Sequence, residues 1–326
     1  MHTYKKILIL LKVLIALVAV PLMAHPPDAS VSQQMNRWLE SLAKLEVEVL
    51  FPYDDAERTD FQWVPAVRAG VALKLLDEDQ RHQLRDILHR LLSKAGAVKL
   101  DGIIATEAAL GILTKSPSYR DPGKYYTSVF GKPGSKQWML RFEGHHLSVN
   151  LSFRRDRLVS ATPLFVGANP ETIPQGPDKG LRALAIEVDR GRALYRSLDR
   201  DQRSQASGSD EWFGGFLTDA GTRRANLGKP VGIAVAMLTA PQQNQLKGLV
   251  QAYVSTINQS FAEKYLEELW QAEKQSLRFF WRGGVQSGEN FYYRVSGKRL
   301  LIEMDAHSGA SHLHAVWRDQ TTDFDL

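Results

Sequence analysis

Through the first third of the chain, apolar residues recur at steps of three and four. Met35, Trp38, Leu39, Leu42 and Leu45 form one such face, Leu84, Ile87, Leu88 and Leu91 a second, and Ile104 to Leu113 a third. These steps keep side chains on one side of a helix, so the segment before about residue 115 is predicted to be mainly helical. A start signal recurs three times, as Leu76-Asp77-Glu78-Asp79-Gln80, Leu198-Asp199-Arg200-Asp201-Gln202 and Leu238-Thr239-Ala240-Pro241-Gln242. In each, Asp or Thr can accept a hydrogen bond from a first-turn amide while Gln three residues later reaches back. This is a capping box, and capping alone explains the spacing.

From Gln137 the pattern shortens to runs rich in aromatic and β-branched residues: Gln137–Glu143, Leu147–Phe153, Leu277–Trp281, Phe291–Val295 and Leu300–Met304. These predict strands. Two hairpins match in residue type and spacing, Arg141-x-x-Gly144-x-x-Leu147-x-Val149 and Arg294-x-x-Gly297-x-x-Leu300-x-Ile302, with each glycine at the turn. Each follows a helical stretch, the second running from Pro241 to Ala272. The reading is therefore α+β: a helical N-terminal part and antiparallel hairpins in two related halves, about 35–165 and 181–319, within a single domain over 25–326. The two sheets are expected to pair into one, with His145-His146 answering to Lys298-Arg299. Between the halves, a Pro/Gly-rich connection runs from Gly167 to Gly180 and leads into a helix from Leu181 to Leu198, while Ser204–Asp210 reads as a surface loop.

The N-terminus changes the picture of charge. Lys5 and Lys6 precede an apolar run from Ile7 to Val20 that ends on Leu22-Met23-Ala24, the layout of a signal peptide cleaved after Ala24. Lys12 interrupts the run, which argues against a spanning anchor; a membrane role would come only through an uncleaved segment. Residues 1–24 carry three lysines and no acid, so their removal lowers the net charge from +5 to +2. So small a surplus gives no reason to expect a nucleic-acid partner. Cysteine is absent, which excludes disulfides, thiolate ligands and thiol nucleophiles. The expected location is secreted or periplasmic.

Of the eight histidines after Ala24, five lie in two late clusters: His145 and His146, then His307, His312 and His314. Imidazole is the commonest biological metal ligand and suits an exported protein without thiols. Residues two apart on a strand share a face, so His312 and His314 can present neighbouring nitrogens to one ion. His145 and His146 would point oppositely in a regular strand, so one of them is expected to join the pair, with a carboxylate completing the set. Glu303 and Asp305 offer oxygen ligands, or acceptors that fix a histidine tautomer. One allocation gives His145, His312 and His314 to the metal and leaves Glu143 and His146 for acid–base chemistry. A divalent transition metal such as zinc, iron, copper or manganese would fit, and hydrogen-bonded histidines that bind nothing are the structural alternative.

Arg141, Arg182 and Arg318 are the cations nearest these motifs and could clamp a substrate carboxylate or phosphate; a local pair with Asp319 is the alternative for Arg318. Trp138, Trp281 and Trp317 could line a pocket, though strand aromatics more often pack a core. Cleavage after Ala24 would make His25 the mature N-terminus, where amine and ring can chelate copper together.

The stretches Asp54-Asp55-Ala56-Glu57-Arg58, Arg141 to Asn150, Thr162 to Ala168 and His312 to Asp319 together resemble a bacterial family, domain of unknown function 3500, over roughly residues 35–326. The resemblance implies an often exported protein and supplies no reaction. The family pattern has Asn before the first histidine of the last motif and Gly after the closing Asp-Phe pair, where this chain has Ser311 and Asp325. The expected function is an exported metal-dependent or His/Glu acid–base enzyme acting on a small anionic substrate. The alternative is a non-catalytic extracytoplasmic protein that binds a small ligand or a metal.

Overall fold

The computed structural model describes residues 29–207, 218, 220, 221 and 231–326. The expected signal segment, its expected cleavage site after Ala24 and His25 lie outside them. The chain runs through α1 (Val31–Ser41), β1 (Leu50–Phe51), β2 (Val71–Ala72), α2 (Glu78–Leu91), α3 (Lys94–Leu113), β3 (Tyr126–Phe130), β4 (Trp138–Gly144), β5 (Leu147–Arg154), β6 (Arg157–Ser160) and β7 (Leu164–Ala168). It continues through α4 (Ala185–Ser197), α5 (Arg200–Ser207), β8 (Ile233–Ala234), α6 (Ala240–Val254), α7 (Gln259–Glu273), β9 (Arg278–Gly283), β10 (Phe291–Ser296), β11 (Leu300–His307) and β12 (His312–Asp319). The class is α+β, as the sequence pattern predicts.

All the strands join one mixed sheet in the order β1-β3-β4-β5-β7-β12-β11-β10-β9-β8, with β2 added to β3 and β6 to β5. Among the described residues only β1 with β3 is parallel. The order is nearly palindromic. Strands β3, β4, β5 and β7 on one side answer to β9, β10, β11 and β12 on the other, and the two sets meet where β7 pairs with β12.

The same correspondence extends to the helices. Gly70 and Gly232, at φ +89° and +91°, each precede a two-residue strand and a 3-10 turn (Leu73–Leu75 and Val235–Met237) that lead into capped helices α2 and α6. A Cβ on either glycine would lie 2.1 Å from a carbonyl oxygen, of Thr127 or Phe279, so both the left-handed backbone and the close approach require glycine. All three expected capping boxes form, at Asp77 with Gln80, Asp199 with Gln202 and Thr239 with Gln242. Gln80 and Gln242 also donate through Nε2, each at 2.8 Å, to the carbonyls of Ser41 and Ser197 at the ends of α1 and α4. The cap residues therefore fasten each helix to its predecessor.

Alternation along the strands separates two faces. Leu140, Phe142, Val149, Leu151, Ala315, Trp317, Ile302 and Met304 pack with the helices in the main core, where Trp138, Trp281 and Trp317 are all fully buried. Those tryptophans pack rather than line a site. The opposite face carries a second cluster of Phe61, Trp63, Phe130, Met139, Phe165, Val316 and Phe324, together with the charged and histidine positions of the strands.

Three local expectations change. Within Ser204–Asp210, residues 204–207 belong to α5, because Asp199 caps that helix and Ala206 is buried; 208–210 lie outside the described residues. Gly167 and Ala168 are part of β7, not of a connection. The early segment is not continuously helical, since β1 and β2 leave the helices to join the sheet.

Candidate metal centre

The centre is built where the two halves meet. In the β4–β5 hairpin Gly144 pairs with Leu147, which leaves His145 and His146 as the turn. Gly144 is required there, because a Cβ would come within 2.6 Å of the Tyr125 ring. His146 takes a left-handed φ of 62°, a conformation that costs a non-glycine residue about 1–3 kcal/mol and must be held by its surroundings. Two hydrogen bonds hold it. Its N–H donates to Trp63 O at 2.9 Å, and its carbonyl accepts from Gly167 N at 2.8 Å.

Register then sets a row across the sheet. His146 adjoins Gly167, Gly167 pairs with His314, and His314 pairs with Asp305. One step along, His312 pairs with His307. The His146 ring fills the space over Gly167, where a Cβ would lie 2.9 Å from ring atoms Cγ and Cδ2. Crossing that gap, His146 Nε2 reaches His312 Nε2 at 2.9 Å and His314 Nε2 at 3.3 Å.

Ligand atoms of His146, His312 and His314 all lie within 4.8 Å of one another, and so do those of Asp305, His307 and His314. Each group is of the size that holds an ion. Metal–nitrogen bonds of about 2.0–2.1 Å at tetrahedral angles separate nitrogens by roughly 3.3 Å, close to the two measured contacts. Burial, followed by the repulsion of neighbouring imidazoles, lowers the basicity of these rings. His312 is brought down to about 4 and His314 to about 3, while His146 falls well below the ordinary imidazole range. All three are neutral near pH 7, the state in which imidazole binds metal.

Of the pair at the first turn, His146 joins His312 and His314, and His145 belongs to neither group. His146 therefore stands beside the other two imidazoles, in the place that the allocation gave to His145. The left-handed backbone of His146 is the reason, since the two residues form a turn and not a strand. His145 stacks on His146 at 3.7 Å between ring centroids. Its Nδ1 lies 2.5 Å from Glu107 Oε2, and Arg120 Nη1 is 3.1 Å from both ring nitrogens. With Glu107 and Tyr125 it also lines a pocket of about 170 Å³.

Glu143 joins neither histidine group. It is buried beside Arg141, 3.4 Å away, and Arg68, 3.9 Å away, and burial raises its carboxyl above the usual range. Arg141 is fully buried and also binds Glu57 and Asn150. Arg182 is held by Glu171 and Asp189. Arg318 pairs with Asp323 at 2.6 Å, not with the adjacent Asp319, which instead accepts from Tyr265. These arginines are committed to carboxylates. Glu303 accepts from Tyr292 and from Thr218, away from both groups.

Sequence reasoning gave His307 no ligand role and did not single out Glu107, Arg120 or Gly167. A signal existed for His307: Gly309 inside a four-residue gap predicts a hairpin loop that sets residues 307 and 312 opposite each other. Glu107 is the sole charged residue between Ile104 and Leu113.

Among the described residues no helix is long and apolar enough to cross a membrane. No curated protein and no solved structure matches the chain. The family model described as Protein of unknown function (DUF3500) matches residues 25–326, nearly the whole chain, and the protein belongs to that family.

Proposed function

We propose that this is an exported metalloprotein in which His146, His312 and His314 hold one transition-metal ion, with a coordination position left open for chemistry on a small molecule. The observation that carries this reading is the convergence of three neutral imidazoles, with two Nε2 contacts of 2.9 and 3.3 Å. Three nitrogen ligands and no thiolate suit zinc or copper, and a three-ligand set with an exchangeable fourth position is the arrangement of catalytic zinc. Such an ion activates bound water or polarises a substrate oxygen. An acid–base group beside it is His145, whose Nδ1 lies 2.5 Å from a carboxylate oxygen of the buried Glu107. Export rests on the N-terminal Lys5-Lys6 and apolar segment.

Metal binding without turnover is the second reading. It is favoured by the commitment of Arg141 and Arg182 to carboxylates, which removes two cations expected to grip an anionic substrate. Elemental analysis of protein purified without a histidine tag tests the shared core of both. About one ion per chain is expected, lost from the His312→Ala/His314→Ala double mutant. Failure to bind zinc, copper, iron or manganese on titration would end both. Hydrolytic or oxidative turnover by the loaded protein, absent from the double mutant, would separate the first reading from the second.

A further inference from the structure

Two contacts on the exposed side of the centre form a directed chain. His307 Nδ1 lies 2.9 Å from Asp305 Oδ2, and His307 Nε2 lies 2.9 Å from His312 Nδ1. An ionised carboxylate only accepts hydrogen bonds, and a neutral imidazole has one donor and one acceptor nitrogen. With Asp305 ionised and His307 neutral, these two facts fix every proton. Asp305 accepts, so His307 Nδ1 carries a hydrogen; His307 Nε2 is then bare and must accept; His312 Nδ1 therefore donates, and its Nε2 is left with a free lone pair.

That bare nitrogen is the one 2.9 Å from His146 Nε2. We propose that Asp305 and His307 are positioning residues that hold His312 as its Nδ1–H tautomer and turn its Nε2 lone pair toward the ion. The inference rests on the metal reading for its purpose, but the tautomer itself does not depend on a metal. Without an ion, His146 Nε2–H is the donor to His312 Nε2; an ion bound at His146 Nε2 requires that ring to carry its hydrogen on Nδ1 instead.

The backbone supports the alignment. Residues 308–311 close the β11–β12 hairpin with Ser308, Gly309 and Ala310 all at positive φ, between 54° and 70°. The loop is held by Ala310 N donating to Asn290 Oδ1 at 3.0 Å and by Ser311 Oγ donating to Ser308 O at 2.8 Å. His307 and His312 are thereby fixed as a cross-strand pair, and Asp305 with His314 as the next. Ser311 braces the loop through that bond to Ser308.

Nitrogen-15 NMR of imidazole-labelled, metal-free protein near pH 8 reads the tautomer directly, with the His312 signal assigned by its loss in His312→Gln. The wild type is expected to show His312 protonated at Nδ1. Asp305→Ala and His307→Phe should shift it toward Nε2–H or a mixture, and Asp305→Asn, whose amide oxygen can still accept, should largely retain it. Zinc titration of the same proteins should show affinity reduced roughly 10–100-fold in Asp305→Ala, with stoichiometry unchanged. An Nε2-protonated His312 in the wild type overturns the proposal. So does a second equivalent ion that disappears in Asp305→Ala, since Asp305 and His307 would then be ligands. A wild type that binds no metal but shows the Nδ1–H tautomer defeats the functional reading and leaves this inference standing.

Discussion

The imidazole of His146 occupies the volume that a side chain on Gly167 would need, with its Cγ and Cδ2 2.9 Å from the position of the missing Cβ. Glycine at the centre of a buried strand is normally a weakness, because it adds backbone entropy and no packing. Here its absence of a side chain lets a residue of the first hairpin lie across β7 and touch β12.

Gly167→Ala should therefore displace the ring and separate His146 from His312 and His314. We expect a loss of about 1–3 kcal/mol from overpacking, and metal affinity lowered at least tenfold. Urea denaturation and calorimetric zinc titration measure the two effects. Wild-type affinity in this variant would mean that His146 is not a ligand.

Substitutions at the first turn should separate neighbours. His146→Ala is expected to reduce metal content as severely as His312→Ala, whereas His145→Ala should retain the ion, because His145 is directed to Glu107. Metal content after dialysis against a metal-buffered solution decides between them. Loss in His145→Ala with retention in His146→Ala would restore the opposite assignment.

Metal-free protein should lose stability on mild acidification. In the unfolded chain these imidazoles take up protons near pH 6.5, but in the fold His312 resists until about pH 4 and His314 until about pH 3. Between those limits the unfolded state binds more protons, so stability falls as pH drops through that window and levels below it. Urea midpoints measured from pH 8 to 4 should decline in the wild type and decline less in His312→Asn/His314→Asn. Parallel curves for the two proteins would contradict the burial argument.

The charged cluster beneath β4 is expected to be structural. Glu143→Ala removes a carboxylate from beside the fully buried Arg141, a change that costs about 3–5 kcal/mol when it leaves a charge uncompensated; the remaining pair with Glu57 should hold the loss to the lower end. Metal content should be unchanged. Depleted metal in a folded Glu143→Ala protein would return Glu143 to the centre.

What the sequence made legible follows from local physics. Capping boxes at Asp77, Asp199 and Thr239 were readable because their hydrogen bonds close within four residues. The matched hairpins were readable because alternation and turn glycines are local as well. His312 and His314 share a face by strand period alone. The choice between His145 and His146 was not readable, since it depends on one left-handed φ held by Trp63 and Gly167 from elsewhere in the chain. Glu107 was hidden for a related reason. It sits within an apolar helical run, and only the packing of α3 against the hairpin brings it to His145.

The pairing of β7 with β12 gives the centre a mechanical meaning. In the sheet the two halves adjoin at that single seam, and His146 and His312, 166 residues apart, face each other across it. An ion held by both would be a removable cross-link closing a very long loop. Because such a link would form only in the folded chain, where the ligands are brought together, loading and stripping the metal would switch the protein between a stapled and an unstapled form of the same fold.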